Sequence, residues 1–185
     1  MLNINPIEIM VYKPICFSEE RLEQVRKIVA QFPEGRQKSA LIRVLHMAQE
    51  DFGGHLSVEV MDYVAELLSI TPIEVYEVAT FYTMFNLKPV GKYMLEVCHT
   101  GPCMLRGADK TLAYLQKKLN VVVNETTEDG FYTLKTAECL GACGYAPMMQ
   151  CGEHYYENLT EEKIDALIEA WRHNPMPPKA WEKVD

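Results

Sequence analysis

Four cysteines are the residues of this chain best suited to chemistry, and they fall in two short segments. Cys98 and Cys103 bound the segment Cys-His-Thr-Gly-Pro-Cys, while Cys139 and Cys143 bound Cys-Leu-Gly-Ala-Cys. Each segment can present two thiolates from a tightly turned backbone, and four thiolates are the usual ligand set of an iron–sulfur cluster. Small residues in both turns let backbone N–H groups approach cluster sulfurs and stabilise their charge. The spacing therefore favours an iron–sulfur site.

Two other uses of these cysteines stay open on spacing alone. Structural zinc commonly uses two C-x2-C hairpins or a mixture of cysteine and histidine. His99 and His154 could join a zinc site, although each is more often an ordinary loop histidine. A reversible disulfide ranks last, because the C-x-x-C pair of thioredoxin-type redox sites is absent. The plant-ferredoxin spacing C-x4-C-x2-C is not met either.

The remaining cysteines and the common catalytic motifs point to no second site. Cys16 and Cys151 stand apart from the pairs, and we expect each to be a small buried residue. The chain has no G-x-S-x-G, no P-loop and no G-x-G-x-x-G after a strand. It therefore offers no catalytic residues of its own and no site for a nicotinamide or a flavin, which another subunit would have to bind.

Composition and charge indicate a globular protein that works with other proteins. Hydrophobic residues make up 48% of the 185 residues, enough for a packed core. The net charge is −8 and no dense Lys/Arg cluster occurs, which disfavours nucleic acid as a partner. An acidic surface is instead suited to steering a protein partner with a basic face.

Targeting signals are not evident in the sequence. No apolar run approaches the roughly 18–20 residues that a membrane-spanning helix needs. The first 14 residues hold one lysine and no arginine, which fits neither a secretory signal nor an Arg-rich transit sequence. We therefore expect the protein to stay in the reducing compartment where it is made, and clustered cysteines there favour metal or redox chemistry over structural disulfides.

Residues 1–88 are predicted to form a four-helix, bundle-like module. Ser18 can cap a first helix that stops at Phe32-Pro33, and a second helix should run from about Gln37 to Phe52. Ser57 caps a third helix. The capping box from Thr71 to Glu74 opens a fourth helix. The fourth helix should carry one apolar stripe made of Val75, Val78, Ala79, Tyr82 and Phe85.

Residues 89–173 are predicted to form a small α/β domain, followed by an irregular, proline-containing tail over residues 174–185. A strand should run from Tyr93 to Cys98, so that the first cysteine pair begins where the strand ends. The other predicted elements are a helix over 104–119, a strand over 131–137 after the Asp129-Gly130 turn, paired strands over 147–151 and 154–156, and a last helix capped by Thr160.

Longer stretches around the cysteines resemble a known family. They are VYEVATFYTMFNLKPVGKY over residues 75–93, VCHTGPCMLRG over 97–107, ECLGAC over 138–143 and APMMQ over 146–150. They are similar to the family of small iron–sulfur subunits, the E-type subunits, of respiratory complex I (NADH:quinone oxidoreductase). The resemblance covers about residues 20–172, and it implies an α+β chain in which a thioredoxin-like domain follows a helical bundle.

The resemblance also implies a function. One 2Fe-2S cluster would be ligated by Cys98, Cys103, Cys139 and Cys143, and FMN and NADH would be bound on a partner subunit. The implied partners are that flavin- and NADH-binding subunit and the large iron–sulfur subunit of complex I. The cluster would exchange single electrons with the flavin, off the main chain of clusters, as a temporary electron store. The implied location is the cytoplasmic side of a bacterial inner membrane, or the matrix side in a processed mitochondrial chain.

One departure from the family pattern lies beside the site. Many relatives carry a polar residue and then Asn directly after the last ligand, where this chain has Gly144-Tyr145. The four ligand positions are kept, so the change concerns the hydrogen bonds and potential of a cluster. Two alternative functions remain: the diaphorase 2Fe-2S subunit of an NAD-linked hydrogenase or formate dehydrogenase, and a zinc-bound interaction module.

Overall fold

The computed structural model describes residues 15–173, which fall into two compact units divided between Pro89 and Val90. The prolines predicted to mark a C-terminal tail lie outside the described residues. Among the helices of residues 15–173, none has the length and apolar character needed to cross a membrane.

The first unit contains four α-helices around one apolar core. They are α1 (Glu19–Val29), α2 (Leu41–Asp51), α3 (Val58–Leu68) and α4 (Pro72–Phe81), with a 3-10 turn (Gln37–Ala40) leading into α2. Local caps start three of them: Ser18 accepts from the Arg21 N–H, Ser57 accepts from the Val60 N–H, and Thr71 begins a capping box. The buried centre of the core includes Ala40, Val44, Leu45, Ala48, Leu56, Val64 and Val75.

The fourth helix ends before the last two residues of its predicted apolar stripe, so the prediction was wrong for Tyr82 and Phe85. The helix stops at Phe81, and Tyr82 is extended and 39% exposed. Phe85 joins the core from the following loop instead. The loop is held by Asn86, whose backbone N–H donates to Gln49 (2.7 Å) and whose side-chain amide donates to the Gly54 carbonyl (2.9 Å). These bonds tie the loop after α4 to α2 and to the α2–α3 connection.

The second unit is a five-stranded mixed sheet with helices. Its strands are β1 (Tyr93–Cys98), β2 (Glu125–Thr126), β3 (Tyr132–Ala137), β4 (Met149–Cys151) and β5 (His154–Tyr156), in the order β2-β3-β1-β4-β5. Strands β1 and β3 are parallel, and the other neighbouring pairs are antiparallel. The helices are α5 (Gly101–Leu105), α6 (Ala108–Leu119) and α7 (Glu161–His173).

The single helix predicted over residues 104–119 is in fact two. Gly107 adopts a left-handed conformation with φ +100°, which interrupts the helical backbone between α5 and α6. The short strand β2 was not predicted, because its two residues carry no alternating pattern. The α+β class and the order of the other strands and helices in this unit are as predicted.

The sheet register decides where the cysteine segments meet. Strand β1 pairs with β3 from Tyr93 opposite Tyr132 to Cys98 opposite Ala137. The two strands are parallel, so they end at the same edge of the sheet. One cysteine segment follows each strand. On one face, Leu95, Val97, Met149 and Cys151 share a core with Leu115 of α6 and with Ile164, Ile168 and Trp171 of α7.

Gly91 is required where the chain enters β1, which yields a first prediction. A β-carbon there would lie 2.8 Å from the carbonyl carbon of Tyr132, and the Gly91 N–H donates to the Thr133 hydroxyl at 2.6 Å. Gly91→Ala should therefore lower the free energy of unfolding by about 1–3 kcal/mol, because backbone must move to admit the methyl group. Urea unfolding of the metal-free chain, followed by circular dichroism, measures this.

Gly144→Ala is the matched control, since a β-carbon at Gly144 meets nothing within 4 Å. Its free energy of unfolding should stay within about 1 kcal/mol of the parent value. Equal stability of the two variants would contradict the close packing of Gly91 on β3.

Candidate metal centre

The four cysteines come from two loops at the ends of β1 and β3. Cys98 is the last residue of β1, and Cys103 lies in the short helix α5. Cys139 follows β3, and Cys143 starts a 3-10 turn that ends at Tyr145. Residues 138–142 belong to no helix or strand, so the second loop depends on side chains and on individual hydrogen bonds for its position.

A small apolar cluster, which includes two of the four cysteines, connects the two loops. Its buried members are Cys98, Cys103, Ala108, Ala146 and Met148, and Leu140 and Ala142 of the second loop pack against it. Cys98 and Cys103 are each only 1% exposed, whereas Cys139 and Cys143 are exposed. The group therefore has one pair of thiols closed to solvent and one pair open to it.

The environment of Cys98 favours a thiolate. Burial acts to raise the pKa of the Cys98 thiol, but the backbone N–H of Leu140, directed at its sulfur, outweighs that effect together with hydrogen bonds from Cys103 and Thr100. The net result is a lowered pKa. The Thr100 hydroxyl lies 3.9 Å from the sulfur. Hydrogen bonds to the charged form of a group stabilise that form, as they do for metal-bound sulfur.

The environment of Cys103 shows that the neighbouring cysteines affect the ionisation of its thiol. Burial raises its pKa, and its hydrogen bond with Cys98 and the negative charges of Cys98, Cys143 and Cys139 raise it further. Four adjacent thiolates repel each other, and cationic iron would remove that repulsion. Four thiols gathered from two loops, with backbone N–H donors beside them, therefore fit the donor set of an iron–sulfur cluster.

The histidines considered for a zinc site are not brought into this group. His99 places its Nε2 2.6 Å from a carboxylate oxygen of Asp109, and His154 lies in β5 opposite Cys151. Within residues 15–173, no three His, Cys, Asp or Glu side chains converge as ligands of a single metal ion. A binuclear cluster makes a different demand, because its four thiolates are shared between two irons.

The two remaining cysteines differ from each other. Cys151 is 1% exposed on the core face of the sheet, as predicted, and burial together with the charge of Glu96 raises its pKa to about 12. Cys16 is exposed, so the prediction that it is buried was wrong. The reason is local: Cys16 lies in the segment before α1, where its neighbour Phe17 is buried and stacks on Phe52.

Two residues near the site were missed by sequence reasoning. Leu140 directs its N–H at Cys98, and Tyr155 donates its hydroxyl to the Leu140 carbonyl at 2.8 Å. The sequence offers no signal for Tyr155, because the contact spans 15 residues and depends on how β5 pairs with β4. Leu140 lies between two candidate ligands, but nothing in its side chain points to the role of its backbone.

Comparison with known proteins places the chain among iron–sulfur proteins. Residues 25–172 match the thioredoxin-like [2Fe-2S] ferredoxin family. The E-type subunit of NADH-quinone oxidoreductase from Rickettsia conorii is 46% identical over 153 residues, which are 83% of this chain and 92% of that protein. The mitochondrial NADH dehydrogenase (ubiquinone) flavoprotein 2 of Dictyostelium discoideum is 42% identical over 88% of this chain and 66% of its own length.

A solved structure shares the fold. The NAD+-reducing [NiFe]-hydrogenase in its air-oxidized state superposes with a TM-score of 0.66 over 77% of this chain, at 22% identity. The matched part is 24% of the hydrogenase chain, so this fold is there a segment of a much longer polypeptide.

The burial of the thiols predicts an order of reactivity in the reduced, metal-free protein. Cys139 and Cys143 are exposed, whereas burial raises the pKa of both Cys103 and Cys151. Iodoacetamide should therefore alkylate the exposed pair at least about tenfold faster than Cys103 and Cys151, since the thiolate is the reacting form. Mass spectrometry of timed digests measures each site, and Cys16 provides an exposed reference. Equal rates at all sites would contradict the placement of the loops.

Proposed function

This chain belongs to the thioredoxin-like [2Fe-2S] ferredoxin family, and from that membership we propose that it is the E-type, electron-transferring subunit of an NADH-quinone oxidoreductase. The observation that carries the proposal is the group of four thiols at the parallel ends of β1 and β3. It is supported by 42–46% identity to subunits of this kind over most of the chain. The chain is one subunit of an oxidoreductase and holds no complete active site.

The proposed ligands are Cys98, Cys103, Cys139 and Cys143. A bound 2Fe-2S cluster supplies one-electron transfer, with no bond chemistry required of the protein. Cys98 and Cys103 would hold it from the buried side, while the exposed Cys139 and Cys143 leave one face that a partner can approach. The Leu140 N–H would stabilise negative charge on the Cys98 sulfur of a bound cluster and so favour its reduced state.

The proposed partners are those that the family resemblance implies. They are a flavin- and NADH-binding subunit, which would carry FMN and NADH, and the large iron–sulfur subunit of the same complex. The net charge of −8 suits docking on a basic surface. The chain would thus sit in the peripheral arm, on the cytoplasmic side of a bacterial membrane or the matrix side of a mitochondrial one, attached through its partners.

Sequence identity to the relatives favours this function over that of a hydrogenase or formate dehydrogenase diaphorase subunit. The hydrogenase likeness stands at 22% identity and carries the fold alone. The identity to the Rickettsia conorii protein, a component of a quinone oxidoreductase, is 46% and extends over 92% of that relative. The zinc-bound interaction module is disfavoured by the match of residues 25–172 to a [2Fe-2S] ferredoxin family.

A first experiment tests the ligands. Cys103→Ser should abolish or distort the electron paramagnetic resonance signal of the dithionite-reduced protein, because it replaces a buried thiolate ligand with a hydroxyl. Cys151→Ala is the control: it also removes a buried thiol, but on the core face of the sheet, and should leave the signal unchanged. A normal signal in Cys103→Ser would exclude Cys103 as a ligand.

A second experiment tests the cofactor itself. Protein purified without oxygen should contain about two irons and two acid-labile sulfides per chain. Its visible absorption should bleach on addition of dithionite, since the added electron changes the charge-transfer bands. A colourless protein with about one zinc per chain would support the interaction module instead.

A further inference from the structure

Tyr155 connects the edge of the sheet to the second cysteine loop. It lies in β5 opposite Gln150 of β4, which in turn lies opposite Glu96 of β1. Directly paired residues project from the same face, and the adjacent positions Leu95 and Cys151 project into the core. Tyr155 therefore stands on the face away from that core, and it is 47% exposed. Its hydroxyl donates to the Leu140 carbonyl at 2.8 Å.

Leu140 is held from three directions. Its carbonyl accepts from Tyr155, its N–H is directed at the Cys98 sulfur, and its side chain packs on the cluster that contains Cys98 and Cys103. The flanking backbone cannot hold it, because residues 138–142 form no helix or strand. Gly141, with φ +76°, adds a position with wide conformational freedom.

We propose that Tyr155 is a positioning residue for the cluster site, and that its hydrogen bond to the Leu140 carbonyl clamps the loop that carries Cys139 and Cys143. This inference rests on the proposed function, since it assumes that the four cysteines hold a 2Fe-2S cluster. Tyr155 acts on the site through its bond to Leu140.

The clamp has two physical consequences. A fixed loop keeps two thiolates at the separation that the irons require, which slows cluster loss. A fixed N–H donor stabilises negative charge on sulfur, and the reduced site carries more of that charge than the oxidised site. Loss of the tyrosine hydroxyl should therefore speed iron release and make the reduction potential more negative.

The test compares Tyr155→Phe with a matched tyrosine in the cluster-loaded full-length chain. Tyr114→Phe is the control: Tyr114 lies in α6, packs against the core of the sheet, and donates its hydroxyl to the Asp165 carboxylate at 2.7 Å. Both variants keep the ring and lose one hydroxyl. Iron release to an excess of chelator, the midpoint potential and the electron paramagnetic resonance spectrum are measured for each.

Tyr155→Phe should release iron about three- to tenfold faster than the parent protein, the range expected for one lost hydrogen bond. It should also show a more negative midpoint potential and altered g-values, while Tyr114→Phe matches the parent. Parent-like values in Tyr155→Phe, or equal changes in both variants, would overturn the clamp. A parent protein without two irons per chain would instead overturn the proposed function, so the two failures are distinguishable.

Discussion

The parallel pairing of β1 with β3 is the constraint from which the site follows. Parallel strands require a crossover connection, and here α5 and α6 form it, so the first cysteine segment is the start of that crossover. The second cysteine segment leaves the adjacent strand end. A register shifted by one residue would turn Cys98 to the opposite face and separate it from the second loop. The buried pair Leu95 and Leu134, directly opposite in the ladder, helps to hold the register.

The second constraint is the negative charge of four neighbouring thiolates. It explains why the loops supply hydrogen-bond donors to the sulfur of Cys98. Burial raises the pKa of Cys103, and its hydrogen bond with Cys98 and the charges of the other three cysteines raise it further. The site lowers the cost of ionisation locally with donors to Cys98, namely the Leu140 N–H and the Thr100 side chain. Burial of two thiols and exposure of the other two then defines which side of the site another molecule can reach.

Features encoded by a few adjacent residues were predictable from the sequence, whereas those decided at a distance were not. The helix caps at Ser18 and Ser57 each involve a hydrogen bond to the residue three positions later, and both caps are present in the structure. The end of α4 was not predictable, because Asn86 bonds to residues more than 30 positions earlier in the chain. The bond from Tyr155 to Leu140 likewise depends on the β4–β5 register.

Cys151 shows why residue type and fold together are insufficient to make a ligand. It belongs to the same sheet as Cys98 and also ends its strand, yet it lies opposite Leu95 on the core face. Burial raises its pKa to about 12, and metals bind the thiolate. Cys98 is equally buried, but it ends its strand where a second loop supplies an N–H donor. A second cysteine loop beside the strand end, rather than the strand end itself, thus separates a candidate ligand from a core residue.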